Sequence, residues 1–229
     1  MVDPANVVTA DRPLRADAVR NRRQILDAAK EAFAERGLEV PLDEIAERAG
    51  VGIATLYRRF PNREELVAAA FADKLAEYAD AAERASRSPD PWTGFRGFIE
   101  HMCALQAADR GFTDLITLSL SCGEAQAQRD RAGDAFAGLV RRAQDTGVLR
   151  DDFVPEDLLL LFFANAGVVQ ATSRDAPHAW RRLVALMLEA FRASDPGPLP
   201  AALTLPQAER AMRRIAQNKG VCPPPCPPT

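Results

Sequence analysis

The 229-residue chain holds little that would build a sheet, a membrane span or a disulfide framework. Aromatic residues make up 7% of it, and β-branched residues are sparse beside Ala, Leu, Arg, Glu and Asp. That balance favours helix. The stretch Leu158–Val169 is apolar but too short to span a bilayer, and charged segments flank it. No apolar run marks the N-terminus, so neither a signal peptide nor a membrane partner is expected. Of four cysteines, Cys103 and Cys122 fall inside helical patterns and Cys222 and Cys226 in a Pro-rich tail. A reduced, cytoplasmic protein is the expectation. The two histidines, His101 and His178, lie far apart, and no nucleophile–base–acid spacing or metal set accompanies them. Neither an enzyme nor a cofactor is expected. The net charge of −3 does not advertise a nucleic-acid binder. Phosphate affinity then depends on where the arginines sit.

What is present is helical periodicity. Ile25, Leu26, Ala29 and Phe33 mark a first helix, with Gly37 as its stop. Leu42, Ile45, Ala46 and Ala49 mark a short second helix, and Ile53 to Phe60 a third that Pro61-Asn62 ends. Asn62 is a good cap for a long fourth helix, with Glu64 and Glu65 in its first turn. Its stripe of Leu66, Val67, Ala70, Phe71, Leu75 and Tyr78 runs to the break at Ser86–Pro91. Further patterns cover about 91–109, 111–122, 124–146, 155–173 and 176–193. Pro196, Pro198 and Pro200 form a linker to a last amphipathic helix near 206–217. The expected architecture is all-α: a disordered arm over 1–14, a three-helix unit over 15–62, a larger helical domain over 63–195, and a Pro-rich linker, short helix and disordered tail over 196–229. In that tail Cys222 and Cys226 lack the further ligands a metal site needs.

The stretch LDEIAERAGVGIATLYRRFPNREEL, from Leu42 to Leu66, carries a steric argument. Two helices crossing steeply through a short turn need a small side chain at the crossing, a residue tolerant of the left-handed conformation in the turn, and an apolar anchor. Ala46, Gly50 and Leu56 fill these roles, with Ile45, Val51 and Phe60 closing a small core. This is the pattern of a DNA-binding helix-turn-helix.

The chain resembles the TetR family of transcriptional repressors. The resemblance rests on the first-helix run RRQILDAAKEAFAERG, on LDEIAERAGV, on TLYRRF and on the NREEL that opens the fourth helix, and covers roughly residues 20–70. It implies an N-terminal three-helix DNA-binding domain followed by a helical domain that binds an effector and dimerises. With the third helix in the major groove, Gly52, Ile53, Ala54 and Arg58 are expected at base edges, Arg58 as a bidentate partner of guanine. Thr55, Tyr57 and Arg59 are expected at phosphates, together with Arg20 and Arg22. Arg63 stands where the family usually has lysine and is expected at a phosphate beside the helix N-terminus. The charge map agrees: between Arg12 and Arg23 there are five arginines and one acid, Asp17, and between Arg58 and Arg63 three arginines and no acid.

Helical stripes in the larger domain supply Phe95, Phe98, Met102, Leu105, Leu115, Leu118, Phe136 and Leu139, with the polar groups His101, Gln106, Thr117, Ser121 and Asn165 among them. Such a stripe fits a core at least as well as a pocket. The resemblance moves weight toward a pocket for an apolar or amphipathic small molecule, with Phe95, Phe98, His101, Met102, Leu105, Leu115, Leu118, Phe136, Leu139 and Asn165 as its lining. For Asn165 a buried bond to a backbone carbonyl is an equal alternative. Leu158–Val169 is apolar nearly all round, which suits burial against a second copy. A homodimer is expected through Leu160, Phe163, Gly167, Trp180, Leu183, Met187 and Phe191, forming a four-helix bundle. Its two recognition helices, roughly 35 Å apart or a multiple of that, would read a palindromic double-stranded operator. The fourth helix is the expected lever, joining Arg63 at the DNA to Tyr78 near the pocket. The competing reading is a helical interaction module whose basic patch binds an acidic partner.

Overall fold

The computed structural model describes residues 11–116, 123–193, 197 and 199–221. Among them are eleven helices and no strand: α1 (Asp11–Arg36), α2 (Leu42–Arg48), α3 (Ile53–Arg59), α4 (Arg63–Ala70), α5 (Ala72–Ser86), α6 (Pro91–Ala108), α7 (Arg110–Ile116), α8 (Gly123–Asp145), α9 (Asp157–Thr172), α10 (Ala179–Phe191) and α11 (Leu205–Asn218). Residues 11–14, expected in the arm, are the start of α1. The rest of that arm, the pocket residue Leu118, the polar groups Thr117 and Ser121, Cys122, and the Cys222/Cys226 tail lie outside the described residues.

The helices start and stop on local chemistry. Asn62 caps α4 by accepting from the Glu65 amide at 2.8 Å. Asp90 caps α6 by accepting from the Trp92 and Thr93 amides, with Pro91 at the first helical position. The stripe expected to form one long fourth helix is two helices. Phe71 interrupts it at φ −106°, ψ 9°. The break has a packing cause. Leu66, Val67 and Ala70 of α4 serve the N-terminal unit, where α4 packs on α1, whereas Leu75, Ala79 and Ala82 of α5 pack toward α6 and α8. A straight helix cannot present its apolar stripe in both directions. The chain turns at Phe71, whose buried ring stacks on Phe33 at 6.0 Å.

Helix α6 is central to the larger unit and packs against α5, α7, α8, α9 and α10. Phe95 lies at the middle of its core: Trp92 and Phe136 stack on it, and Phe153 and Phe191 meet it edge-on. Asn165 ties α9 to α6 by donating to the Gln106 side chain at 2.8 Å and the Cys103 carbonyl at 3.3 Å. Gln106 in turn donates to the Phe162 carbonyl. The N-terminal unit joins this body through α1 against α7 and α4 leading into α5.

Candidate nucleic-acid interface and ligand cavity

Helix α2 ends in a left-handed glycine. Gly50 has φ +66°, its amide donates to the Glu47 carbonyl, and the Val51 amide donates to the Ala46 carbonyl, both at 3.0 Å. That pair of bonds satisfies the last carbonyls of α2 and turns the chain sharply into α3. Ala46, Ile45, Leu56 and Phe60 are buried at the crossing, and Val51 packs against them. Leu56 and Phe60, with the half-buried Val51, therefore orient α3, and its other side chains are exposed or half-buried.

Gly52, Ala54, Tyr57 and Arg58 are exposed, and Ile53, Thr55 and Arg59 are half-buried. Ile53 leans on the small core, so only part of it is available to a base. Tyr57 shows 49% of its surface, a large exposure for an aromatic side chain. Among the described residues no carboxylate forms an ion pair with Arg58 or Arg59. Two of the acids of α1 and α2 that dilute the basic charge, Glu35 and Glu44, are paired away from α3. Glu44 binds Arg36 and Arg48, and Arg48 also reaches Glu35. The hydrogen bond from Arg36 holds the Glu44 carboxyl below its usual range. Arg22 is exposed, its guanidinium 4.9 Å from the Phe60 ring centroid, and Arg20 pairs loosely with Asp17 at 3.5 Å.

Arg63 has a different position from the one its place in the motif suggests. Its Nη1 donates to the carbonyls of Leu38 and Val40, both at 2.7 Å, and burial lowers its pKa. This edge of the guanidinium latches α4 to the loop between α1 and α2. The latched loop is anchored from its other side as well. The Leu38 amide donates to Asp114 of α7 at 2.9 Å, and the Asp114 carboxylate sits so close to Gly37 (φ +81°) that an added Cβ would meet it at 2.6 Å.

The residues expected around a pocket are placed mostly in packed core. Phe95, Phe98, Met102, Leu115, Phe136 and Leu139 are buried, and the phenylalanines are occupied by ring contacts. Asn165 is fully buried and spends its amide nitrogen on α6. His101 points instead toward Glu77 of α5, with Nε2 at 3.5 Å from the carboxylate, and Leu105 is half-buried. The reason is that most of the α6 stripe meets side chains of the five helices packed on it. Of the expected set, Phe98 and His101 border empty space, a cavity of about 320 Å³ between α5 and α6 that Ala81, Arg84, Thr93 and Gly97 also line.

An apolar cavity of about 250 Å³ lies on the other side of α5. None of the nine expected residues that the structure describes lines it, although Tyr78, expected near the pocket, does. Leu75 and Tyr78 of α5, Ile116 of α7, Leu158, Leu159 and Phe162 of α9, and Leu205, Ala208 and Met212 of α11 form its walls, with Pro155 beside them. Its charged lining residues among those described are Arg129 of α8 and Glu156. Arg129 donates through Nη2 to the Leu115 carbonyl at 2.5 Å, while its Nε is buried without a hydrogen-bond partner. Burial lowers the Arg129 pKa and raises that of the Tyr78 hydroxyl, which keeps the phenol a protonated donor. The sequence offered a faint signal for this site. Arg129 lies in the same helix as Phe136 and Leu139, and the amphipathic helix expected near 206–217 carries an apolar face with no partner assigned to it.

On α9 and α10, Leu160 and Leu186 stand 44% and 58% exposed, Gly167 is exposed, and Phe163, Leu183 and Met187 are half-buried. Trp180 and Phe191, expected on the same face, are core residues; Phe191 packs edge-on against both Phe95 and Phe153. Leu186 was not anticipated, because the helical stripe on α10 was drawn through Leu183 and Met187 on either side of it.

Residues 25–70 match the family described as "Bacterial regulatory proteins, tetR family", and residues 90–193 match "Transcriptional regulator SbtR-like, C-terminal domain". The chain is similar to the HTH-type transcriptional regulator TtgR of Pseudomonas putida, 42% identical over 80 residues, which are 34% of this chain and 38% of that protein. The chain thus spans well under half the length of the curated relatives it matches. Among solved structures it is similar to SmeT, the repressor of the Stenotrophomonas maltophilia multidrug efflux pump SmeDEF, at 26% identity and a TM-score of 0.53, covering 80% of this chain and 97% of that one. The SmeT–triclosan complex is similar at 25% identity and a TM-score of 0.51, covering 80% of this chain and 99% of that one.

Proposed function

Because the chain belongs to the TetR family of bacterial regulatory proteins, we propose that it is a homodimeric transcriptional repressor, holding a palindromic operator until a small-molecule effector releases it. Members of this family are DNA-binding transcription factors and not enzymes. The observation that carries the proposal is the α2–α3 pair. A glycine-terminated turn and the buried anchors Leu56 and Phe60 leave Tyr57 and Arg58 facing outward, with no carboxylate ion-paired to Arg58 among the described residues. Arg58 is assigned to a guanine, Gly52, Ala54 and the exposed part of Ile53 to base edges, and Thr55, Tyr57 and Arg59 to phosphates, with Arg20 and Arg22 following the backbone from α1. Arg63 contributes to this surface chiefly by fixing the α1–α2 loop.

The exposed Leu160 and Leu186, with Phe163, Gly167, Leu183 and Met187 around them, support a dimer through α9 and α10. A two-fold pair of heads fits a palindrome. The cavity walled by α5, α9 and α11 supports an effector site, and SmeT, a repressor of similar fold, forms a complex with triclosan. An effector acts by preferring one spacing of the heads over the other.

The test is footprinting of genomic DNA with the purified protein, followed by titration of the protected sequence. The expected result is protection of a palindrome. Arg58→Ala should weaken binding to it by roughly tenfold or more, with random-sequence affinity little changed, since base readout is worth about 1–3 kcal/mol. Binding that ignores DNA sequence and is competed equally by an acidic polypeptide would support the interaction-module reading instead.

A further inference from the structure

We propose that the cavity beneath α11 takes an amphipathic anion, a carboxylate on a medium-length apolar body, with Arg129 and Tyr78 holding the head and the α9 and α11 side chains holding the tail. The proposal rests on reading the chain as a ligand-responsive regulator and gives its effector a chemical class. Arg129 is a cation set in a wall of leucine, isoleucine, phenylalanine and methionine. Among the described residues no carboxylate forms an ion pair with it, its Nε makes no hydrogen bond, and its Nη2 bonds to a neutral carbonyl, that of Leu115. A charged group so placed costs stability unless an opposite charge joins it. Tyr78 lines the same cavity, and its hydroxyl, close enough to Arg129 to interact with its charge, supplies a second donor. Two donors beside an apolar space describe a carboxylate head followed by a hydrocarbon body. Glu156, the other charged lining residue among those described, forms no ion pair with Arg129, so it does not fill the anion's place.

The test is calorimetric titration of the full chain with straight-chain carboxylates from hexanoate to dodecanoate and with the matching alcohols. The expected result is saturable binding of at least one carboxylate, at least tenfold tighter than its alcohol. That preference should disappear in Arg129→Gln and shrink severalfold in Tyr78→Phe, which removes only a hydroxyl and keeps the result readable if the arginine variant fails to fold. Equal affinity for acid and alcohol, binding of neither, or a preference that survives both variants overturns the proposal. Operator footprinting of the ligand-free protein is run in parallel. A protein that binds decanoate but protects no DNA sequence refutes the regulator reading and leaves the site standing, and the reverse result refutes the site alone.

A separate observation concerns what the helix over this cavity touches at its other end, and from it we infer that α11 links the cavity to the DNA-binding unit. Ala208 and Met212 wall the cavity, and one turn beyond, the buried Ala216 and Val221 dock the helix end. There Lys219 reaches Glu39 of the α1–α2 loop at 3.5 Å and Asp114 at 3.1 Å. Asp114 holds the Leu38 amide, and Arg63 holds the Leu38 and Val40 carbonyls. A displacement of α11 from the cavity therefore pulls on the same loop that fixes α4 to the head. The test needs no ligand: Met212→Glu and, separately, Ala208→Glu place a charge under α11, and hydrogen exchange is read at Leu38. Exchange there at least fivefold faster than in the parent, in variants that remain folded by circular dichroism, supports the link. Exchange at the parental rate in both overturns it.

Discussion

Arg63→Ala separates two roles that a single arginine at the head of α4 could play. In the structure its Nη1 serves two carbonyls, Leu38 and Val40, each at 2.7 Å, in a half-buried setting. A hydrogen bond from a charged donor contributes about 1.5–3 kcal/mol net. Sharing one nitrogen between two acceptors, and partial exposure, bring the pair down to about 2 kcal/mol. For a chain of this size the melting temperature moves by roughly 2–4 °C per kcal/mol, so Arg63→Ala should melt roughly 4–8 °C lower. Arg63→Lys keeps the charge and loses the fork, and should fall between the two. The assays are thermal melts without DNA and operator titrations over a range of salt. A residue that serves mainly as a phosphate contact would leave the melt unchanged on removal and lower the slope of log affinity against log salt by about 1. The reasoning from the latch is refuted if Arg63→Ala melts within about 1 °C of the parent while the slope drops by that amount.

Four further outcomes follow from the same geometry. Gly50→Ala should cost about 1 kcal/mol in thermal melts and Gly50→Asn less, because the left-handed backbone is the obstacle and nothing lies within 4 Å of an added Cβ. Asn165→Leu should cost about 2 kcal/mol in urea unfolding, since it strands the Gln106 side chain and the Cys103 carbonyl in the core. Leu160→Glu combined with Leu186→Glu should sediment as a monomer at concentrations where the parent is a dimer, with little change in melting temperature, because both side chains are exposed in the single chain. Burial pushes the Cys103 thiol up to about 12, so peptide mapping after thiol labelling at about pH 8 should find Cys103 unmodified in the native protein and modified in urea.

The legible part of this fold was local. Ala46, Gly50 and Leu56 are ten residues apart at most, and their sizes alone determine how two short helices cross. Helix positions followed from period, since α6, α9 and α10 each carry a stripe long enough to read. What was not legible depends on which helix faces which. Phe95, Phe136 and Leu139 have the spacing a pocket or a core would have, and only the arrival of α5, α8 and α10 around α6 makes them core. Trp180 and Phe191 are similar: an aromatic on an apolar helix faces a second copy or the chain's own interior, and the sequence does not distinguish them. Arg129 left the weakest trace, because a surface arginine and an arginine in a cavity wall look alike until α9 and α11 pack beside it.

The break at Phe71 bears most directly on how the two units communicate. A continuous helix from Arg63 to Tyr78 would carry motion from cavity to head as a rigid rod. With α4 and α5 separate, the two ends can turn independently, and coupling must pass through what holds the joint. The structure offers two such holds. One is the Phe71 ring, stacked on Phe33 of α1 and so close to α7 that a Cβ at Gly111 would meet it at 2.7 Å. The other is the loop over residues 37–41, gripped by Arg63 from the head and by Asp114 and Lys219 from the body. Both sit between the head and the cavity, and both involve α7, whose Ile116 lines that cavity. An occupant that shifts α7 or α11 is therefore expected to act on α1 and α4 together, turning the three-helix head as one body and leaving the α2–α3 angle set by Gly50 intact.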